Sequence, residues 1–360
     1  MLYELLYGLT DVSSVFNVFR YITFRTSLAA LTALMVTFLA APAIIAWLRQ
    51  ISMTQQIRDD GPQTHLKKAG TPTMGGLIIL LAVTVAMMLW GNFRNVYTWV
   101  IMIALLGFGA IGLWDDYLKV IKKNPKGLRA LYKFGAQMLL SLVIGIFLYA
   151  NPLDPYSTVL SVPFFKKWLF DIGIFYIPFS VFVIVGSSNA VNLTDGIDGL
   201  AIGLVAIATI ANGALTYVSG HAQFARYLQV LFLPGIGELT VFCGALLGAA
   251  LGFLWYNAYP AEVFMGDVGS LSIGGALGTL AVITKHEIVL AVVGGIFVIE
   301  TLSVVLQVAS FKMTGKRIFR MAPIHHHFEL KGWSEPKVIV RFWIAGIILA
   351  LFSLATLKLR

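Results

Sequence analysis

Five stretches of this sequence hold residues of types and spacings that could do chemistry. Asp115-Asp116 sets two carboxylates side by side, and Lys119 follows Asp115 by four residues, the separation at which helical side chains share a face. Adjacent carboxylates repel, and desolvation raises at least one of their pKa values; a divalent cation would relieve both penalties. The plain alternative is a solvated acidic pair ending a helix. Asn189, Asn192, Asp195 and Asp198 recur every third position, which on a helix makes one slowly drifting polar face, and Gly196 and Gly199 permit a break there. Amides suit sugar or base edges, and carboxylates suit hydroxyls or metal. Helix capping would not require four such residues in register.

The third stretch, 264–270, reads Phe-Met-Gly-Asp-Val-Gly-Ser and ends where an apolar run begins. Asp267 there is either a helix cap or a carboxylate that holds Mg²⁺ beside a phosphate, and the glycine-flanked helix start could offer backbone N–H groups to that phosphate. Phe264 is either loop packing or a platform for a planar base. The fourth stretch contains His325-His326-His327, followed by Phe328 and Glu329, with Lys312, Lys316, Arg317 and Arg320 upstream. In a helix three consecutive histidines fan out. Their spacing is poor for tetrahedral zinc and no cysteine is near, which favours phosphate contact and proton handling near neutral pH. The fifth stretch holds Arg58, His65, Lys67, Lys68 and Thr73 before Gly75-Gly76, where a hydroxyl and close backbone approach suit an anion. Glu300 stands apart, inside an apolar run with Gln307 seven residues on; an ionisable group at membrane depth is a functional candidate, or a hydrogen bond to another helix.

The elements that must position these residues are set by composition. Of 360 residues 58% are hydrophobic and 12% charged, about half the charge of a soluble globular domain. Apolar runs near the ~20 residues that cross a bilayer predict about ten spans, near 27–48, 74–91, 97–114, 130–150, 172–190, 200–218, 239–256, 270–284, 287–310 and 338–357. The expected fold is therefore an all-α polytopic membrane protein, one integral membrane domain over 1–360. Residues 1–25 lack a basic start and a small-residue cleavage site, so the first span is expected to be retained, with 1–25 an amphipathic stretch on the surface. The single cysteine, Cys243, lies in an apolar run and reads as a buried thiol.

Loops 49–73, 115–129, 191–199, 257–269 and 311–337 hold 15 of the 26 Lys and Arg residues, and the opposite side with both termini holds 9. This bias places the first set in the cytoplasm and both termini outside. Three of the five clusters lie wholly in those loops, and the stretches 189–199 and 264–270 each overlap one, so the active site is expected at the cytoplasmic face. The net charge of +9 is explained by topology and anionic ligands, without nucleic acid. Carboxylates from three loops, a histidine triplet and bases on one membrane face suit Mg²⁺-assisted phosphoryl transfer between anionic substrates, with a lipid phosphate as acceptor. A secondary transporter would show midplane polar sites and repeated halves, and no repeat is visible.

The same residues carry a resemblance. Residues 71–76, Asp115-Asp116, 189–199, 264–270 and 321–329 together resemble the polyprenyl-phosphate N-acetylhexosamine-1-phosphate transferase superfamily, and within it the bacterial branch acting on UDP-MurNAc-pentapeptide. A GlcNAc-1-phosphate transferase of that superfamily is the nearest rival. The resemblance implies UDP-MurNAc-pentapeptide and undecaprenyl phosphate as substrates, lipid I and UMP as products, Mg²⁺ as cofactor, a homodimer, and the bacterial inner membrane. It implies Asp267 as Mg²⁺ ligand, with Asp115 and Asp116 binding metal or deprotonating the lipid phosphate, and His326 joining them as catalytic. Asn192, Asp195, Asp198 and Phe264 match positions around the nucleotide, and Lys68, Thr73, His325 and His327 match positions lining the site. Lys119, Gly196 and Ser270, within or beside these motifs, complete the expected substrate-binding set.

Overall fold

A computed structural model of the chain describes residues 2–51, 70–120, 122, 127–152, 155–163, 165 and 168–359. Among them nine helices are long and apolar enough to cross a membrane, and a tenth apolar helix is shorter. In chain order the helices are α1 (Leu2–Gly8), α2 (Ile22–Gln50), α3 (Gly76–Trp90), α4 (Val96–Val120), α5 (Ala130–Ala150), α6 (Tyr176–Thr194), α7 (Leu200–Gly220), α8 (Ala222–Leu228), α9 (Leu239–Asn257), α10 (Gly266–Thr284), α11 (Glu287–Val293), α12 (Gly295–Thr314), α13 (Ile324–Glu329) and α14 (Glu335–Leu359). An antiparallel hairpin of β1 (Val159–Ser161) and β2 (Leu169–Asp171) decorates the α5–α6 connection. The expected all-α architecture is what the chain adopts.

Small residues bring these helices close. In a bilayer, packing rather than water exclusion drives helix association, so small-xxx-small faces mark the tightest contacts. Gly244, Gly248 and Gly252 of α9 face α2: a methyl at 248 would lie 2.0 Å from Ala30 O, and one at 252 would lie 2.7 Å from Thr37 Cβ. α2 answers with Ala29, Ala33, Thr37 and Ala41 at fourfold spacing, all fully buried. α10 is buried along most of its length. It approaches α6 through Gly274 and Gly278, and Gly275 receives the Phe108 ring of α4. A helix wedged between α4 and α6 is what carries Asp267 toward residues of both.

Two expected spans differ from the observed helices. The run 287–310 divides at Gly294-Gly295 into α11 and α12, because Gly294 N closes a turn on Leu290 O and ends the first helix. α3 begins at Gly76, later than expected, because residues 72–75 run alongside 264–265: Phe264 N donates to Pro72 O, Gly75 N to Phe264 O, and Gly76 N to Met265 O, each at 2.8 Å. The amphipathic N-terminus forms α1 and two 3₁₀ segments, and Arg25 stacks over the Tyr3 ring at 4.1 Å. Cys243 is buried, as its apolar surroundings predict.

Candidate active site

The C-terminal end of α4, the N-terminal end of α10 and the C-terminal end of α6 meet at one end of the bundle. Asp115 and Asp116 come from α4, Asp267 from α10 and Asn192 from α6. One oxygen of each aspartate falls in a group whose members all lie within 4.8 Å of one another. This approach is possible because Gly112, one turn before Asp116, carries no side chain: a methyl there would lie 2.2 Å from the Asp267 carbonyl oxygen. Gly266 adopts φ +72°, a left-handed conformation that favours glycine, and a side chain there would press on Asp116 Oδ2 and Thr73 Oγ1.

Two lysines bind this acidic group. Lys119 Nζ lies 2.7 Å from Asp115 Oδ2 and 2.9 Å from Asp267 Oδ2; Lys133 Nζ, from α5, lies 3.2 Å and 2.6 Å from the same two oxygens. Each carboxylate is also oriented by a neutral donor. Asp115 Oδ1 accepts from Leu128 N at 2.7 Å, Asp116 Oδ2 from Val268 N at 3.1 Å, and Asp267 Oδ1 from Asn192 Nδ2 at 2.7 Å. Asn192 is itself held by Ser270 Oγ, to which it donates at 2.8 Å. Three carboxyl groups meet two ammoniums in a largely buried site. Clustered hard oxygen donors fit a divalent cation such as Mg²⁺.

The N-terminus of α10 is used differently from the expectation that it would present free N–H groups to a phosphate. Val268 N–H is taken by Asp116, and Gly266 N–H by Asp195. Protein carboxylates occupy the positive end of this helix and lock the α4 and α6 ends onto it. Burial of the Asp195 carboxyl, then repulsion from Asp267 and Asp198, push its pKa up to about 7 against the Gly266 hydrogen bond.

The remaining expected residues fall into three places. Thr73 is buried beside Gly266, and half-buried Phe264 is fixed by its backbone pairing with residues 72 and 75. Asp198 is 3% exposed; its Oδ2 accepts from Ala261 N at 3.0 Å, and its N–H donates to Glu335 Oε1 at 2.9 Å. Asn189 turns to Gln137 of α5, so the polar row on α6 divides between a structural contact and Asn192 at the carboxylates. Gly196 abuts His325, where a methyl would lie 2.3 Å from Nε2. Lys68, with Arg58, His65 and Lys67, lies outside the described residues.

The histidines occupy α13 and fan out as a helix requires. His325 is fully buried, with Nδ1 3.1 Å from Glu300 Oε2. His326 Nδ1 pairs with Glu329 Oε2 at 2.7 Å. His327 Nδ1 accepts from Arg320 N at 3.1 Å, and burial, then the charges of Lys331 and Arg320, lower its pKa. Among the described residues the group with metal-ligand spacing is Asp115, Asp116 and Asp267, and the histidines are not part of it.

Lys133 is the functional candidate that motif reading leaves out. Its signal is present: a lysine at the start of the apolar run 130–150, where a charge needs a partner. Asn257 is a second omission, since its side chain accepts from Gly199 N and donates to Val263 O, tying the α6–α7 turn to the segment before Asp267.

The chain is similar to known proteins over its whole length. Residues 98–285 match glycosyl transferase family 4, and residues 68–80 match signature 1 of phospho-N-acetylmuramoyl-pentapeptide-transferase. Proteins of that name from Thermodesulfovibrio yellowstonii and Citrifermentans bemidjiense are 70% and 57% identical to it, each alignment covering 100% of both chains. A third, from Pelobacter propionicus, is 58% identical over the same extent. With three carboxylates and two lysines gathered at one end of a membrane-helix bundle and identity of this level from end to end, the chain belongs to the phospho-N-acetylmuramoyl-pentapeptide-transferase family.

Proposed function

We propose that this chain, acting as one transferase domain over 1–360, transfers phospho-MurNAc-pentapeptide from UDP-MurNAc-pentapeptide to undecaprenyl phosphate, yielding lipid I and UMP for peptidoglycan synthesis. The observation that carries the reading is the convergence of Asp115, Asp116 and Asp267 with Lys119 and Lys133 at one end of the bundle. Such an inventory performs phosphoryl transfer by positioning and charge neutralisation. Asp115, Asp116 and Asp267 would hold Mg²⁺, which when bound neutralises charge on the donor pyrophosphate. Lys119 and Lys133 place two further positive charges at the same oxygens and, in the Michaelis complex, contact phosphate. An oxygen of the lipid phosphate attacks the phosphorus that bears the sugar. The P–O–P bond to UMP breaks, and UMP leaves with the electron pair. One of the Asp115-Asp116 pair holds the acceptor phosphate in its deprotonated form, and direct attack needs no covalent enzyme intermediate. Asn192, Asp195, Gly196 and Phe264 form the nucleotide side; Thr73, Ser270, Lys68 and the histidines line the remainder, with His326 oriented by Glu329. Asp198 supports the loop from beneath.

We place this site at the cytoplasmic face of the bacterial inner membrane with both termini outside, on the distribution of basic loops, and take the active form to be a homodimer. The test is UMP release by the purified full-length chain given both substrates and Mg²⁺. Turnover that stops on chelation and resumes with Mg²⁺ is the expected result. Preference for UDP-GlcNAc over the MurNAc-pentapeptide donor would favour the rival transferase, and no UMP release with either donor would overturn the reading. For topology, Lys122→Cys should stay unlabelled by an impermeant thiol reagent in intact cells and Asn151→Cys should label, the native Cys243 being buried. The reverse pattern would overturn the orientation.

A further inference from the structure

Glu300 of α12 and His325 of α13 are each 0% exposed, and Glu300 Oε2 lies 3.1 Å from His325 Nδ1. The contact is electrostatic only. Neither oxygen of Glu300 and neither ring nitrogen of His325 has a hydrogen-bond partner in the protein. Four buried polar atoms left this way are a costly way to hold a fold: well-packed apolar residues of similar volume in place of a whole buried ion pair are often neutral or stabilising, although removing one partner alone is destabilising. The pair is nevertheless placed against functional backbone. His325 Nε2 points at Gly196, where only the absent side chain leaves room for the ring. Gly196 follows Asp195, which holds the Gly266 N–H beside Asp267. On its other side the His325 ring packs on His326, with centroids 4.1 Å apart. One buried carboxylate therefore sits behind the imidazole that touches both the α6–α7 loop and the next histidine.

We infer that Glu300 is a positioning residue for the transfer, holding the His325 ring against Gly196 and so setting the 192–198 loop in the form that takes the donor nucleotide. The inference rests on the reading of that loop as the nucleotide side of the site. Glu300 does not touch the reacting atoms. It acts through His325, and the fold tolerates its cost. A structural role and a positioning role then differ in readout: a structural residue loses activity only in proportion to folded protein, whereas a positioning residue raises the donor KM of the protein that remains folded.

The experiment compares wild type, Glu300→Leu and Glu300→Gln as full-length chains by thermal unfolding, by steady-state kinetics and by calorimetric binding of UMP. Glu300→Leu leaves His325 without its buried partner and should lower Tm, so its kinetics are read per folded molecule. Its KM for UDP-MurNAc-pentapeptide should rise about tenfold or more, with the KM for undecaprenyl phosphate within about twofold and UMP binding weakened in parallel. Glu300→Gln, which keeps an acceptor oxygen facing Nδ1, should recover a substantial part of the loss. Unchanged donor KM and UMP binding in both variants would overturn the inference while leaving the transferase reading intact. So would a fall in Tm with activity lost only in proportion to folded protein, or a Leu variant that does not fold beside a Gln variant with wild-type KM. A wild-type chain that releases no UMP would overturn both.

Discussion

At the end of the bundle where α2 and α9 begin, Arg25 is 1% exposed and both of its terminal nitrogens are bound by Glu238, at 2.8 and 2.9 Å. On the same side Lys285 donates to Ser157 O and lies over the Tyr176 ring, whose hydroxyl binds Glu287. At the opposite end Asp115 and Asp267 share Lys119 and Lys133, Asp116 lies in the same group, and Asp195 and Asp198 stand close by. In the first arrangement Arg25 and Glu238 neutralise each other, and Lys285 and Glu287 are held by neutral groups. The second gathers three carboxyl groups from two helices distant in sequence, each oriented by a separate neutral donor. The first end joins one cation to one carboxylate; the second shares two cations among a group of carboxyl oxygens with metal-ligand spacing.

The largest expected effect sharpens the second half of that contrast. Asp→Asn at 115, 116 or 267 should lower UMP release by about a thousandfold or more, about 4 kcal/mol in the barrier, while each variant unfolds near the wild-type temperature. A variant of normal rate and low Tm would move its aspartate to the structural class. Arg25→Met should show the converse. It leaves Glu238 largely buried without its cation, at a cost of about 3 kcal/mol of stability, and kcat/KM per folded molecule should not change. Loss of specific activity in that variant would break the comparison from the other side.

Lys133→Ala should come next, with about a hundredfold loss of kcat/KM, because it removes the cation nearest Asp267 Oδ2. Lys119→Ala, whose side chain is 36% exposed, should lose about tenfold, since water screens part of the charge it supplies. The smallest effect is a pH dependence of stability. The Asp195 carboxyl titrates near 7 in the folded chain and near 4 in an unfolded one. The folded state then binds more protons through that window, so stability falls as pH rises from about 4 to about 7 and is level above it. Asp195→Asn should flatten that part of the Tm-versus-pH curve. An unchanged curve would show that Asp195 titrates as it does in the unfolded chain.

Much of the fold was legible because membrane crossing is written locally. Ten apolar runs correspond to ten places in the bundle, since a helix in lipid must satisfy its own backbone. The errors have two causes: at 72–76 backbone from 264–265 intervenes, and at 294–295 two adjacent glycines end one helix and start another. The site was legible in part. Asp115-Asp116, Asn192 and Asp267 stood out because polar residues beside apolar runs are conspicuous. Lys133 was hidden by its neighbours, since one cation at a span end reads as topology. Asp198 carried the same spacing signal as Asn192 and Asp195, yet its carboxylate turns to Ala261 N.

By itself the sequence determined that this protein lives in a membrane, where its helices run, and which loops hold carboxylates, bases and histidines. Hydrophobicity and spacing are properties of neighbouring residues and need no fold to be read. Tertiary structure alone decided that three aspartates from α4 and α10 share one space with lysines from α4 and α5. It also decided that carboxylates take the Gly266 and Val268 amides at the N-terminus of α10, and that Glu300 stands behind His325. Those outcomes depend on how near two helix ends can come. That distance is set by whether Gly112, Gly274 and Gly278 let one backbone touch another, a property of pairs of surfaces that no single stretch of sequence contains.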